Sequence, residues 1–433
     1  MFKINTLLRL QICFQEVESE TGYILLSVIG NNLYFCTKQQ IMRKISADIV
    51  YPVVGKPLPN GVITVDEQGV IRAVEAGTPE NSIGAQSYKG IIVPGFINAH
   101  CHLELSHMKG KVATGTELIP FITNVVKCRN DEPESVLPSI QQADQEMYEQ
   151  GIMAVGDISN CADTFEQKQA SKLRYYTFVE LFDFKQIDTT EFEDRKPVFE
   201  QHPETDTLKK SYVPHAPYSV SEQLFQQINE ANAGKQRTVS IHNQETPAED
   251  ELALKGTGPF IDFVKGFGLS TDAFAASGRT SIHYALKNMD PSHRTLFVHN
   301  TMTTENDIIA AHRWSKNVFW VTCPNANLYI ENRLPNYQSF LNQNAMMTIG
   351  TDSLTSNWQL SILEELKTIL KYQSYLTFET VLQWATLNGA LALGFQQDLG
   401  SIEYGKSPGL NLLAMPDPAQ EFDLNSCKVI KLV

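Results

Sequence analysis

A chain of 433 residues, 42% hydrophobic and 19% charged, has room for one large domain and a smaller one, since an α/β barrel alone takes about 250 residues. Its formal charge of −14 argues against a nucleic-acid backbone or an anionic membrane as partner and leaves a small molecule as the expected one. Seven cysteines, none of them in a CxxC pair, speak against a disulfide framework or zinc ribbon and for reduced thiols in a cytoplasmic enzyme.

In chain order, residues 1–41 show no clear period. Their longest apolar run, Tyr23 to Gly30, is stopped by Asn31 and Asn32, short of the ~20 residues that span a bilayer. Lys3 and Arg9 flank apolar patches, but no small-residue cleavage site follows. Met42 opens a more orderly segment. Residues 1–41 are therefore read as an extension upstream of the natural start, with an additional N-terminal element as the alternative.

Ala47–Val54, Val62–Val65 and Val70–Val74 alternate with the turns Leu58-Pro59-Asn60-Gly61 and Asp66-Glu67-Gln68-Gly69, which is hairpin chemistry. At the other end, Gly405-Lys406-Ser407-Pro408-Gly409 turns into Leu410–Ala414, and a last strand covers Lys428–Val433. Residues 42–90 and 400–433 are expected to form one small β-sandwich domain from both ends of the chain.

Residues 91–399 alternate short apolar strands with helical patterns, the signature of βαβ units. The strands expected are Ile91–His102, Ile152–Ser159, Arg174–Phe182, Ser211–Pro214, Thr238–His242, Thr295–His299, Val318–Thr322 and Met346–Thr351. Helices are expected at Val136–Gln150, Ser221–Ala233, Thr304–Ser315 and Leu360–Tyr372, with a long final helix at Leu376–Phe395. The fold class is thus α/β, a (β/α)8 TIM barrel, in which function gathers at the C-terminal ends of the strands. His100, His102, Asp157, Glu180, His215, His242, His299 and Asp352 all fall at such ends.

Side chains alternate along a strand, so His100 and His102 share one face and Cys101 takes the other. Two such imidazoles can grip a metal or can simply be packed. His242 ends the fifth strand, and Glu245 follows three residues on, where a carboxylate can serve as general base and then proton donor. A solvated loop carboxylate is the alternative. Asp352 follows a buried apolar run, where an unpaired carboxylate is costly; a metal, a histidine or a helix-cap role would resolve this. His215 sits in the stiff turn Pro214-His215-Ala216-Pro217-Tyr218, and the expected strand Ser211–Pro214 holds no lysine to bridge two metals. His107, His202, His283, His293 and His312 are read as surface or packing residues.

Taken together, Pro94-Gly95-Phe96-x-Asn98-x-His100-x-His102, His215-Ala216-Pro217-Tyr218, His242-x-x-Glu245, Val298-His299, Cys323-Pro324-x-x-Asn327 and Gly350-Thr351-Asp352-Ser353 resemble the amidohydrolase superfamily. The branch is that of cytosine, guanine and adenosine-type deaminases and triazine chlorohydrolases. The resemblance implies that His100, His102, His242 and Asp352 bind one divalent metal, zinc first and ferrous iron as the alternative. It implies Glu245 as proton shuttle, His299 as holder of the attacking water or substrate, Asp352 as acceptor of a second proton, and His215 as a substrate contact. Asn325-Ala326-Asn327 and Ser407-Pro408-Gly409 depart from the family pattern without touching those ligands.

His102-Leu103-Glu104 also opens the cytidine-deaminase signature, but the required P-C-x-x-C is missing. His102-Leu103-Glu104-Leu105-Ser106 is similar to a stretch of the aminofutalosine deaminases, which act on a 6-amino purine nucleoside. If the strand continues, Glu104 shares a face with both histidines and reaches substrate from the rim; a loop glutamate of no consequence is the alternative. The expected activity is metal-dependent release of ammonia from an aminated heterocycle, a purine base or nucleoside derivative such as aminofutalosine, S-adenosylhomocysteine or guanine. A chlorohydrolase, an N-alkylamine hydrolase and a catalytically silent binding homologue are the alternatives, with a homodimer as the assembly to test.

Overall fold

The structure is a computed structural model that describes residues 41–130, 132–186, 190–417 and 419–433, together with the backbone of Gln15–Val17, Ile24–Ile29 and Asn32–Thr37. These three strands pair antiparallel in chain order. The remainder of residues 1–40, and with it the reading of that segment as an upstream extension, lies outside the described residues.

Eight parallel strands build the large unit: β1 (Phe96–Cys101), β2 (Ile152–Ser159), β3 (Arg174–Leu181), β4 (Leu208–Pro214), β5 (Thr238–Asn243), β6 (Arg294–His299), β7 (Val318–Thr322) and β8 (Met347–Ile349). Nearly every residue in them is buried, which is why they read as apolar runs rather than alternating ones. Hydrogen bonds join them as two four-stranded sheets, β1–β4 and β5–β8. Two seams close the barrel. At β4–β5 the His242 N–H donates to the His215 carbonyl (2.9 Å), and at β8–β1 the N–H groups of Thr351 and Asp352 both donate to the His100 carbonyl (3.0 Å each).

The first seam strand departs from expectation. Ile91–His102 is not one strand but two: Gln86–Pro94 belongs to the small sheet, and β1 begins at Phe96. Gly95 makes the break, donating its N–H toward the carbonyls of Pro408 (3.1 Å) and Gly409 (3.2 Å). A Cβ there would lie 2.5 Å from the Pro408 oxygen, so the Ser407-Pro408-Gly409 turn and Gly95 fit together through a missing side chain. The final helix also differs from expectation. It runs as Phe378–Gln383, a π-helical turn at Trp384–Asn388, and Gly389–Leu393.

The four other expected helices are present as Val136–Glu149, Glu222–Asn232, Glu305–Trp314 and Ile362–Tyr372. Each buries an apolar stripe, such as Leu363, Leu366 and Ile369 on the last of them, against the barrel core. The small unit drawn from both ends of the chain is one seven-stranded sheet. Lys428–Lys431, Leu410–Ala414, Gln86–Pro94, Arg43–Val50, Val62–Val65 and Ile71–Glu75 follow one another across it, with Leu58–Pro59 beside Arg43–Val50. It holds its own core, including Ile45, Ile63, Ile71, Ile92 and Leu412. Among the described residues, no helix is long and apolar enough to cross a membrane.

Candidate active site

Four side chains from β1, β5 and β8 converge at the barrel mouth. His102 Nε2 lies 3.2 Å from His100 Nε2 and 3.3 Å from His242 Nε2, while Asp352 Oδ1 lies 3.5 and 3.4 Å from His100 and His102 Nε2. Imidazole nitrogens this close repel unless something positive sits between them. Burial holds His100 and His102 down at about 3, so they are neutral and present lone pairs. Four ligand atoms on a tetrahedron with zinc–ligand bonds near 2.1 Å stand about 3.4 Å apart. The donor set therefore fits a divalent cation, and His100, His102 and His242 group together as candidate ligands, as do His100, His299 and Asp352.

The backbone aims these groups by strained turns. Gln244, His299, Asn300 and Asp352 all take positive φ, at 46°, 73°, 60° and 58°. Such conformations cost non-glycine residues about 1–3 kcal/mol each and gather at functional sites. Here they lie at the ends of β5, β6 and β8, where the chain must bend sharply for the side chain to face the mouth. The helix-cap alternative for Asp352 falls away, since the next helix begins only at Ile362.

Partners behind the ring set the tautomers of His242, His299 and His215. His242 Nδ1–H donates to the His215 carbonyl (2.9 Å), leaving Nε2 for a cation. His299 Nδ1–H donates to Asn327 Oδ1 (2.9 Å), leaving its Nε2 3.6 Å from Glu245 Oε1. Ser219 Oγ donates to the Ala216 carbonyl and so accepts from His215 Nδ1 (2.7 Å). Ser356 Oγ donates to Asp352 Oδ2 (2.6 Å), leaving Oδ1 for the ring. Burial alone would raise Asp352, but the imidazoles of His100, His102 and His299 outweigh it and hold the carboxyl well below its usual range. Burial pushes Glu245 the other way, up to about 8, against the pull of His242 and with the push of Asp352.

Above this floor lies a cavity of ≈ 460 Å³. His102, His215, His242, Glu245, His299 and Asp352 form its polar base, while Leu118, Phe121, Ile122, Val125 and Phe263 supply an apolar wall. Six of the eight expected site residues thus meet around one space; His100 lies beneath it, fully buried, and Glu104 lies outside it.

Glu104 requires correction. β1 ends at Cys101, and Leu103–Met108 forms a 3-10 helix, so residue 104 does not continue the strand face. Glu104 is 2% exposed and does not line the cavity. One carboxylate oxygen accepts from Arg129 Nη2 (3.0 Å) and the other from the N–H groups of Asn160 (2.8 Å) and Cys161 (3.3 Å). Two residues it holds, Arg129 and Asn160, do line the cavity. Sequence reasoning passed over both, and assigned no role to Glu180, whose Oε2 accepts from Asn160 Nδ2 (2.9 Å). Asn325, the departure from the family pattern, is turned to Glu365, which accepts from its N–H (2.9 Å) and its side-chain amide (3.0 Å). The histidines expected at the surface or in packing divide: His107, His202 and His293 are buried, His202 between Thr177 and the Pro203 carbonyl.

A profile described as the amidohydrolase family matches residues 91–433. The chain belongs to the amidohydrolase family. Among its relatives is the aminodeoxyfutalosine deaminase of a Nitratiruptor species, 28% identical over 341 residues, which are 76% of this chain and 80% of that protein. The crystal structure of Helicobacter pylori aminofutalosine deaminase in complex with methylthio-coformycin superposes with a TM-score of 0.78 at 23% identity, covering 90% of this chain and all of that one. An adenosine deaminase from Xanthomonas campestris with bound zinc gives 0.67 at 22% identity, over 88% of this chain and 87% of that one. This amidohydrolase is accordingly a hydrolase of carbon–nitrogen bonds other than peptide bonds, in the branch that deaminates cyclic amidines. The family depends on metal, and the His–Asp cluster is the candidate site for it.

Proposed function

We propose that this protein is a zinc-dependent purine nucleoside deaminase, replacing an exocyclic amino group by oxygen and releasing ammonia. The observation that carries the reading is the placement of Glu245 and His299, 3.6 Å apart, over a four-atom cation cradle at the floor of a nucleoside-sized cavity. The relatives named above support the substrate class, and the zinc in a related fold supports the metal.

His100, His102, His242 and Asp352 hold one divalent ion in this reading. When bound, such an ion supplies a nucleophile at neutral pH by lowering the pKa of water to about 7. The remaining work falls to the chain. Glu245 takes a proton from the attacking water and delivers it to the departing amine. Asp352 takes the second proton and passes it on to the ring nitrogen, so that both protons of the water end on the products and both carboxylates are regenerated. His299, fixed by Asn327, holds the attacking oxygen in line, and His215 offers Nε2 to the heterocycle. The apolar wall excludes bulk water and receives the nucleoside. A silent binding homologue has no use for a buried carboxyl beside the cradle.

The test is an ammonia-release screen over adenosine, methylthioadenosine, S-adenosylhomocysteine, aminofutalosine and guanine, with metal content measured on the same preparation. Release from the adenosine derivatives with one zinc per chain is expected. Release from guanine alone, or two metals per chain, overturns the reading.

A further inference from the structure

His299 and Asp352 hold left-handed backbone at the barrel mouth, with φ of 73° and 58°. Conformations of this kind persist only where the surroundings over-determine them, and the supports of both residues lead to one side chain. Glu365, on the helix Ile362–Tyr372, is fully buried and does not line the cavity. Its Oε2 accepts from the Asn325 N–H (2.9 Å), and its Oε1 from the side-chain amides of Asn325 (3.0 Å) and Asn357 (2.8 Å). The two asparagines belong to different turns. Asn325 stands two residues before Asn327, the acceptor for His299 Nδ1–H, in the helix Pro324–Glu331. Asn357 also donates to the Thr351 carbonyl (2.7 Å), one peptide unit from Asp352, and its neighbour Ser356 donates to Asp352 Oδ2 (2.6 Å).

Neither amide is free to turn over. Thr368 Oγ1 donates to Asn325 Oδ1 (2.6 Å), and the N–H groups of Trp358 (2.7 Å) and Gln359 (3.3 Å) donate to Asn357 Oδ1. Both side-chain amino groups therefore face Glu365, together with the Asn325 N–H, and only a side chain that accepts at both oxygens satisfies all three. Asn325 lies in the segment Asn325-Ala326-Asn327, where the chain departs from the family pattern. We propose that Glu365 is a positioning residue: it locks the turns after β7 and β8 to each other and so fixes His299 and Asp352 in place, without touching substrate or metal. The inference rests on the roles given to those two residues above.

The experiment uses the zinc-loaded full chain and follows two quantities: ammonia release from the adenosine derivatives of the screen above, and zinc affinity by chelator competition. Glu365→Gln keeps the volume but sets an amino group against one of the donors. It should lower kcat by about 10–100-fold and weaken zinc binding by a similar factor, the range for groups behind a metal site, with KM within about twofold. Glu365→Asp should recover part of both losses. Asn357→Ala added to Glu365→Gln should weaken zinc by less than the product of the two single effects, since both act through one hydrogen bond. Thr368→Val, which frees the Asn325 amide while Glu365 stays intact, should also lower kcat, and it decides the question if the Glu365 variants fail to fold. A loss confined to the denaturation midpoint, with kcat and zinc affinity at parent values, would show a merely structural carboxylate. Fully multiplicative effects in the double variant would separate the two turns and overturn the proposal. A parent chain that binds one zinc yet releases no ammonia would sink the deaminase reading, while the zinc affinities would still decide this inference.

Discussion

Asp352 is tied to His100 twice, through its N–H to the His100 carbonyl at 3.0 Å and through Oδ1 at 3.5 Å from His100 Nε2. The last strand of the barrel thus closes on the first through two residues of the candidate metal cradle. Asn98 secures the same seam, accepting from Thr351 N–H (3.0 Å) and donating to Thr351 Oγ1 (2.7 Å). If His100 and Asp352 hold the metal as proposed, barrel closure and the geometry of that site are one structural event, and a perturbation of the seam should be read out at the metal.

Gly350 offers the direct test. A Cβ at this position would lie 2.8 Å from His100 Cβ and 2.9 Å from its backbone nitrogen. Gly350→Ala must push β8 from β1, at an overpacking cost of about 1–3 kcal/mol. Metal content below one equivalent, alongside a lower denaturation midpoint, is the expected result. Full metal occupancy would show that the seam and the site are independent.

Glu245 is placed for proton transfer and contributes no atom to the four-ligand cradle. Glu245→Gln is expected to retain one metal per chain and to lose about 10²–10⁴-fold in kcat. Turnover near the parent rate would remove the shuttle role.

His299 depends on Asn327 for its tautomer. Asn327→Leu leaves Nδ1 without its acceptor, and such supporting contacts are typically worth about 10–100-fold in activity. Steady-state kinetics should show this loss in kcat, with metal content unchanged.

Lys168 and Asp157 form an ion pair at 2.5 Å with both side chains fully buried, and Leu103 N–H donates to the other Asp157 oxygen (2.7 Å). Lys168→Met strands the carboxylate and should cost about 3–5 kcal/mol. Adding Asp157→Asn should recover part of that loss in urea denaturation; a double variant as weak as the single one would argue against the pairing account.

His202 carries a pH signature. Its ring packs edge-on to Phe165, accepts from Thr177 Oγ1 at Nε2 (2.9 Å) and donates to the Pro203 carbonyl at Nδ1 (2.9 Å). Burial, then the nearby charge of Lys168, lowers it from 6.5 to about 3. The unfolded chain therefore takes up this proton first, so stability present above about 6.5 is lost progressively as pH falls toward about 3. His202→Gln should flatten that part of the stability–pH curve; an unchanged slope would assign it to other groups.

The order of the site along the chain was legible from sequence because the signals are local. Strand alternation alone puts His100 and His102 on one face, and an apolar run before His242, His299 and Asp352 marks each as a strand end. The same locality explains the misreading of Glu104. Nothing in the pattern of Pro94–Ser106 says that the strand stops at Cys101, because the stop is made by partners far along the chain. Leu103 N–H is taken by Asp157, and Glu104 by Arg129 and Asn160.

Sequence by itself therefore determined the fold class, the candidate ligands at the strand ends and the carboxylate beside them, since backbone periodicity and side-chain chemistry are written residue by residue. Tertiary structure alone decided which polar atoms face the cavity and which are consumed behind it. It made Glu104 a buried anchor, exposed Arg129 on an apolar wall, and bent His299 and Asp352 into left-handed backbone. Those outcomes depend on hydrogen-bond competition between segments dozens to hundreds of residues apart, and no local pattern encodes which partner wins.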